Sequence, residues 1–123
     1  MTKLNDLIAN AKIKYLGQIV RKVWGGQLVN HYRLFAGGQH FDYYSGLACK
    51  APNAKDIFTC IAQDMQAIAE THDISDFLCE FGYNESPEKM RNGKRIFAEI
   101  LQEQRKVALM GLALDELQTL LDD

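Results

Sequence analysis

The chain has few cysteines, and none is arranged for a disulfide framework or a zinc site. There are three, Cys49, Cys60 and Cys79, which is an odd number without a Cys-x-x-Cys pair. Paired cysteines at short spacings are the signature of structural zinc sites and of small disulfide-bonded domains. We therefore expect reduced thiols, a cytoplasmic location, and neither a metal nor a cofactor.

Long apolar runs are also absent. A membrane span needs about 20 consecutive apolar residues, and no segment of this sequence approaches that length. No apolar run follows the lysine near the N-terminus either. This pattern predicts neither a signal peptide nor a membrane anchor. With 47% apolar and 24% charged residues in 123 positions, the composition is typical of a single globular domain over residues 1–123.

Motifs of nucleophilic catalysis and phosphate binding are missing as well. The chain contains no G-x-S-x-G, no Cys-His signature and no G-x-x-x-x-G-K-[ST] loop. The Gly-Gly pairs at 25–26 and 37–38 precede predicted strands rather than helices, so neither forms a phosphate cradle. The three histidines have no further ligand at a zinc-like spacing. The sequence therefore predicts no catalytic residue and no metal site, and we expect a protein that is not an enzyme.

The first part of the chain predicts a short helix over 4–11 and then a three-stranded antiparallel meander. From Lys12 onward the sequence is rich in β-branched and aromatic residues, with Gly17 as a candidate bulge. Gly37-Gly38 separates two alternating runs, as in a two-residue type I′ hairpin. The pattern predicts a packed and a polar sheet face. The packed face has Leu28, Tyr32, Leu34, Phe41 and Tyr43, and the polar face has His31, Arg33, His40 and Asp42.

The second part predicts three to four helices, which together with the meander gives an α+β fold. A helix follows Pro52, with Asn53 as its cap, and a short helix around Phe77 is capped by Asp73 or Ser75. A longer helix begins at Ser86-Pro87 and ends near Met110, and a short leucine-rich helix follows. Gly93 inside the long helix costs about 1 kcal/mol relative to alanine, so we expect either close packing or a weak point there.

The stretch 74–83 has the strongest local pattern and is expected to organise the core. Ile74, Phe77, Leu78 and Phe81 follow the i, i+3, i+4, i+7 spacing of one buried helical stripe. Gly82 stands at the position of a left-handed residue that ends a helix. Tyr83 is placed to fold back on the stripe.

Charge is distributed unevenly along the sequence. Residues 56–85 contain seven acidic residues and no Lys or Arg. A one-signed acidic segment can pair with a basic groove of another protein and accelerate the encounter. The predicted partner-binding residues are Asp64, Asp73, Asp76, Glu80 and Glu85, with Tyr44 and Trp24 as aromatic anchors.

Two other interpretations of the same pattern remain open. A nucleic-acid-binding module would use the basic sheet face and the helix over 89–106, because cations there can contact phosphates. Its candidate residues are Arg21, Lys22, Arg33, Arg91, Lys94 and Arg95. The charges can also form an ordinary solvated surface. Exposed aromatic residues or the C-terminal leucines can support a homodimer alongside any of these functions.

The aromatic strand segment, the helix after Pro52 and the Phe77-x-x-x-Phe81-Gly82-Tyr83 segment resemble a group of small bacteriophage and prophage proteins. The match covers residues 29–105 and rests on short motifs. Asn84 replaces the acid expected after the tyrosine, and Pro87 displaces the charged residues expected after Ser86. The resemblance implies a mobile-element origin. By analogy of class, it implies a protein that binds and inhibits one host protein, such as the CRISPR effector of a defence system.

Overall fold

The computed structural model describes residues 3–122, so the ends of the domain predicted over 1–123 lie outside the described part. Helix α1 is followed by a three-stranded sheet and four further α-helices, which confirms the predicted α+β class. The elements are α1 (Lys3–Asn10), β1 (Lys12–Arg21), β2 (Gln27–Ala36), β3 (Gln39–Ser45), α2 (Ala54–Ala69), α3 (Ile74–Glu80), α4 (Pro87–Leu109) and α5 (Leu114–Gln118). Short 3-10 turns lie at 22–24, 83–85 and 119–121.

The sheet is an antiparallel meander in the order β1-β2-β3, as predicted. The β2–β3 hairpin closes with Ala36 opposite Gln39, and both intervening glycines have positive φ. This backbone conformation is the one that a type I′ turn requires. Between β1 and β2 the register shifts from the Tyr15–Tyr32 pair to the Gly17–His31 pair, so Leu16 is the extra residue of a bulge beside Gly17.

The two faces of the sheet are not simply packed and polar. Tyr32, Leu34 and Phe41 are buried as predicted, but Leu28 is 45% exposed and the prediction for it was wrong. The helices pack against this face near the Gly37-Gly38 turn and leave its other end uncovered. On the opposite face Val29 is buried, because Arg21 of β1 reaches across β2 to the ring of Tyr44 on β3.

Local sequence signals set the ends of the helices. The side chain of Asn53 accepts a hydrogen bond from the backbone N–H of Asp56, whose carboxylate accepts in return from the N–H of Asn53. At α3 and α4 the cap is one-sided: the side chains of Asp73 and Ser86 accept from the backbone N–H of Asp76 and Lys89 respectively. Among residues 3–122, no helix is both long enough and apolar enough to cross a membrane.

The core consists of two clusters, and the larger one is built on α2. Phe41 and Leu34 of the sheet pack there with Phe58 of α2, Val107 of α4 and Leu117 of α5. Phe77 and Leu78 belong to the smaller cluster with Ile100. The stretch 74–83 therefore does not organise the core, contrary to expectation. α3 has only seven residues, and its cluster is completed by Ile100 of α4 with Ile68 of α2 packed against it.

Only part of the predicted α3 stripe is buried. Phe77 and Leu78 are covered, but Ile74 is exposed and Phe81 is 48% exposed. Tyr83 does fold back, with its ring 5.9 Å from that of Phe77. The contact brings Tyr83 and Leu78 so close to Gly93 that a Cβ on this glycine would lie 2.5 Å from both side chains. Of the two alternatives predicted at Gly93, close packing is the one confirmed.

Candidate functional site

Helix α4 lies along the edge of the sheet formed by β3. Lys106 donates from Nζ to the backbone carbonyl of His40 at 2.8 Å, a hydrogen bond between residues 66 positions apart. Farther along α4, Glu99 accepts two hydrogen bonds from Arg21, at 3.1 and 3.0 Å. A cavity of about 250 Å³ lies between β3, α2 and α4, and Arg21 and Glu99 are among the residues that line it.

A continuous polar network covers the sheet face beside this cavity. Asp42 accepts from Nε2 of His31 at 2.9 Å and from Nε of Arg33 at 3.0 Å. The His31 ring stacks on Tyr44 with 4.7 Å between centroids. The guanidinium of Arg21 lies 3.8 Å from the centre of the same tyrosine ring, within the range of a cation–π contact.

This network shifts the titration of Asp42. Burial raises the pKa of the carboxyl, and the hydrogen bonds from His31 and Arg33 outweigh that effect, so its pKa lies below the ordinary value. The carboxylate therefore stays ionised and paired at neutral pH. Two of the predicted nucleic-acid-binding cations, Arg21 and Arg33, are already engaged with carboxylates inside the protein.

Two acidic side chains meet on the inner wall of the cavity. Asp64 of α2 and Glu103 of α4 both line the cavity, and Oε2 of Glu103 is buried without a hydrogen-bond partner among the described residues. Two carboxyl groups can share a hydrogen bond only when one of them carries a proton. Burial is the main cause that raises the pKa of both groups, and it raises that of Glu103 to about 10, with the charge of Asp64 adding to the effect. The pair therefore holds one proton at neutral pH.

The chemistry available in the cavity is limited. Burial raises the pKa of the nearby Cys60 thiol to about 12, so it remains protonated and a poor nucleophile. Tyr43 also has a raised pKa, chiefly from burial. Within residues 3–122, no three His, Cys, Asp or Glu side chains are arranged to hold a metal ion.

The predicted partner-binding acids do not form one surface. Asp64 faces the cavity rather than solvent, and Glu85 is paired with Lys89 at the start of α4. Asp73, Asp76 and Glu80 do share one face of α3, at the i, i+3 and i+7 positions. The two aspartates also accept backbone hydrogen bonds, from the N–H groups of Asp76 and His72 respectively.

The predicted aromatic anchors lie away from this acidic face. The Tyr44 ring lies within the polar network, and the Trp24 ring packs edge-on against it at 6.3 Å between centroids. Trp24 is exposed nonetheless. Phe77 lies between Asp76 and Glu80 but is buried, whereas Phe81, directly after Glu80, is exposed, and the sequence pattern had predicted Phe81 to be buried.

The predicted nucleic-acid-binding residues separate into two groups. Arg21 and Arg33 are paired internally, whereas Lys22, Arg91, Lys94 and Arg95 are exposed. Lys22 and Arg95 line one shallow groove beside Val23. The structure therefore brings part of this set together at the junction of the 22–24 turn and α4.

Glu99 and Glu103, two further members of the site, were not anticipated from sequence. They stand four residues apart on a mostly basic helix, and like charges at that spacing are unfavourable in isolation. The unfavourable spacing was the sequence signal that could have identified these two residues. Such a pair is tolerated when each acid interacts with a side chain on another element. Here the partners are Arg21 and Asp64.

Comparisons with protein-family models, with curated proteins and with solved structures find no match to this chain. The fold and the positions of its side chains are therefore the basis for assigning a function.

Proposed function

We propose that the protein is a binding factor without catalytic activity, which docks the acidic face of α3 into a basic groove of a partner protein. The partner class suggested by this chemistry is a nucleic-acid-binding protein, such as a defence nuclease of a bacterial host. Occupation of its groove would then inhibit it. The acidic face comprises Asp73, Asp76 and Glu80, and Phe81 is its apolar neighbour.

The observation that carries this proposal is the exposure of Phe81, which directly follows Glu80 at the C-terminal end of α3. An aromatic side chain that is 48% exposed leaves apolar surface available for burial by a partner, and aromatic residues dominate the energetics of protein interfaces. The carboxylates of Asp73, Asp76 and Glu80 attract a basic surface over a longer range and increase the association rate. No Lys or Arg occurs between residues 56 and 85 to oppose this attraction.

The caps of α3 determine which substitutions can test the proposal. Charge reversal at Asp73 would remove an N-cap and cost about 1 kcal/mol, which would confuse loss of binding with loss of structure. Asparagine caps a helix as well as aspartate does. The variant D73N/D76N/E80Q therefore removes three charges and keeps the side-chain acceptors.

A matched control is D6N/E88Q/D122N, which changes the net charge equally at exposed positions outside the acidic face. Tagged protein is incubated with nuclease-treated bacterial lysate, and captured proteins are identified by mass spectrometry. We expect one dominant captured protein that is retained by the control and lost with D73N/D76N/E80Q or F81A. Added binding factor should also displace DNA from the purified captured protein in a mobility-shift assay.

Equal capture by wild type and D73N/D76N/E80Q would contradict the proposal, as would a captured protein that still binds DNA normally.

The runner-up function is nucleic-acid binding, favoured by the convergence of Lys22 and Arg95 on one groove. It predicts nucleic acid in the eluate before nuclease treatment. R91A/K94A/R95A would then abolish binding and flatten its salt dependence, and the acidic-face variant would have little effect.

A further inference from the structure

The two edges of the sheet differ in how they are covered. Helix α4 runs along β3 and bonds to its backbone through Lys106. β1 pairs with β2 and has no comparable neighbour on its other side among the described elements. With ten residues it is long for an edge strand, and an open edge of this kind presents unpaired N–H and C=O groups that can pair with another chain.

The side chains of β1 divide into two chemically distinct faces. Pairing with β2 places Tyr15 and Val20 on the face of Tyr32 and Leu28, and both are exposed, by 50% and 55%. Leu28, opposite Val20, extends this apolar strip. The other face carries two exposed lysines, Lys12 and Lys14, near the start of the strand, and the exposed Ile19 near its end.

A second copy of this chain is a poor match for the edge. Two-fold pairing of β1 with itself is antiparallel, which places the N-terminal end of one strand beside the C-terminal end of the other. β1 contains no acidic residue, so neither Lys12 nor Lys14 would meet an opposite charge on the second copy. A strand that carries acidic residues would supply this charge, and opposite charges across a sheet are favourable.

Lysines and a bulge on an edge strand protect against uncontrolled pairing. The protection is selective in this case, because lysines repel basic strands and attract acidic ones. An added strand also alternates its side chains between the two faces. The complementary strand therefore has apolar residues toward Tyr15 and Val20, and acidic residues toward Lys12 and Lys14.

We infer that the free edge of β1 is a docking site for an extended segment of a partner protein in which acidic and apolar residues alternate. The segment joins the sheet as a fourth strand through backbone hydrogen bonds, while the side chains set its register. This site shares no residue with the acidic face of α3, so its test is independent of the proposed function.

The test uses a synthetic peptide of about ten residues, long enough to span β1, with alternating Glu and Val and blocked ends. One control peptide has Lys in place of Glu. A second keeps every side chain but is N-methylated at alternate residues, which removes the backbone donors of one edge. Binding is followed by NMR titration of the amides of the full-length protein at low salt.

We expect the Glu-Val peptide to shift β1 amides and to bind at least about tenfold more tightly than either control. For the N-methylated peptide, two lost backbone hydrogen bonds suffice for that factor. For the Lys-Val peptide, the charges repel Lys12 and Lys14 instead of attracting them. The variant K12E/K14E should reverse the preference and bind the Lys-Val peptide. Both lysines are exposed, so the variant keeps its core, which its amide spectrum verifies.

Three results would overturn the inference. The Glu-Val peptide can fail to bind, or the N-methylated peptide can bind equally well, which would reduce the interaction to charge attraction alone. Concentration-dependent dimerisation of the free protein with shifts confined to β1 amides would instead assign the edge to a second copy.

Discussion

Replacing Glu103 by Gln should stabilise the protein at neutral pH and remove much of the pH dependence of its stability. Glu103 and Asp64 line the same cavity, and the raised pKa of Glu103 keeps its carboxyl protonated and able to donate to Asp64. A glutamine amide can donate to the ionised aspartate in the same position without having to take up a proton. The substitution therefore keeps the hydrogen bond between α2 and α4 and changes only the titration.

The magnitude follows from the proton that the folded state holds. The ordinary pKa of 4.5 describes Glu103 in the unfolded chain, and burial raises it to about 10 in the folded protein. Keeping the proton at pH 7 costs about 1.4 kcal/mol for each pH unit above 4.5, or about 3 kcal/mol. Because the folded pKa is the higher one, the contribution of this group is fully present below pH 4.5 and is lost as the pH rises toward 10.

The assay is urea unfolding followed by circular dichroism between pH 4.5 and 8. We expect the free energy of unfolding of E103Q to exceed that of wild type by about 2–3 kcal/mol at pH 7 and the difference to vanish near pH 4.5. E80Q, an exposed carboxyl, serves as the control and should change stability by less than about 0.5 kcal/mol. A variant no more stable than wild type at pH 7, with an unchanged pH slope, would refute the shared proton.

Two further predictions concern packing and pairing. G93A should lower the free energy of unfolding by about 1–3 kcal/mol, because its Cβ clashes with Leu78 and Tyr83. The control K94A, at the next and exposed position, should leave the free energy of unfolding nearly unchanged. A G93A variant more stable than wild type would contradict the close packing. A double-mutant cycle with R21Q and E99Q should give a coupling energy of about 1–2 kcal/mol. The reason is that Arg21 is mostly buried and bonded twice to Glu99. A coupling energy below about 0.5 kcal/mol would show that the two side chains are adjacent without stabilising each other.

Features with local causes were predictable from sequence. The Gly37-Gly38 turn follows from backbone chemistry, because both residues must adopt positive φ. The caps at Asn53 and Ser86 follow from a side-chain acceptor placed directly before a helical run. In each case the residues that decide the structure lie within a few positions of one another.

Features that depend on which elements cover each other were not predictable. Leu28 and Phe81 fit buried stripes, yet both side chains are nearly half exposed. Asp64 fits an acidic surface, yet it meets a residue 39 positions away on another helix. A periodic pattern identifies which side of an element is apolar, but only the tertiary arrangement determines whether another element reaches that side.

The hydrogen bond between Lys106 and His40 has a consequence for synthesis on the ribosome. Lys106, whose side chain bonds to the β3 edge, is synthesised 66 positions after His40, whose carbonyl accepts that bond. At about 5–20 residues per second, roughly 3–13 s pass in which the meander has emerged with both edges unprotected. For that interval the nascent chain offers two open strands rather than one, so aggregation and capture by chaperones would concentrate there, before α4 arrives.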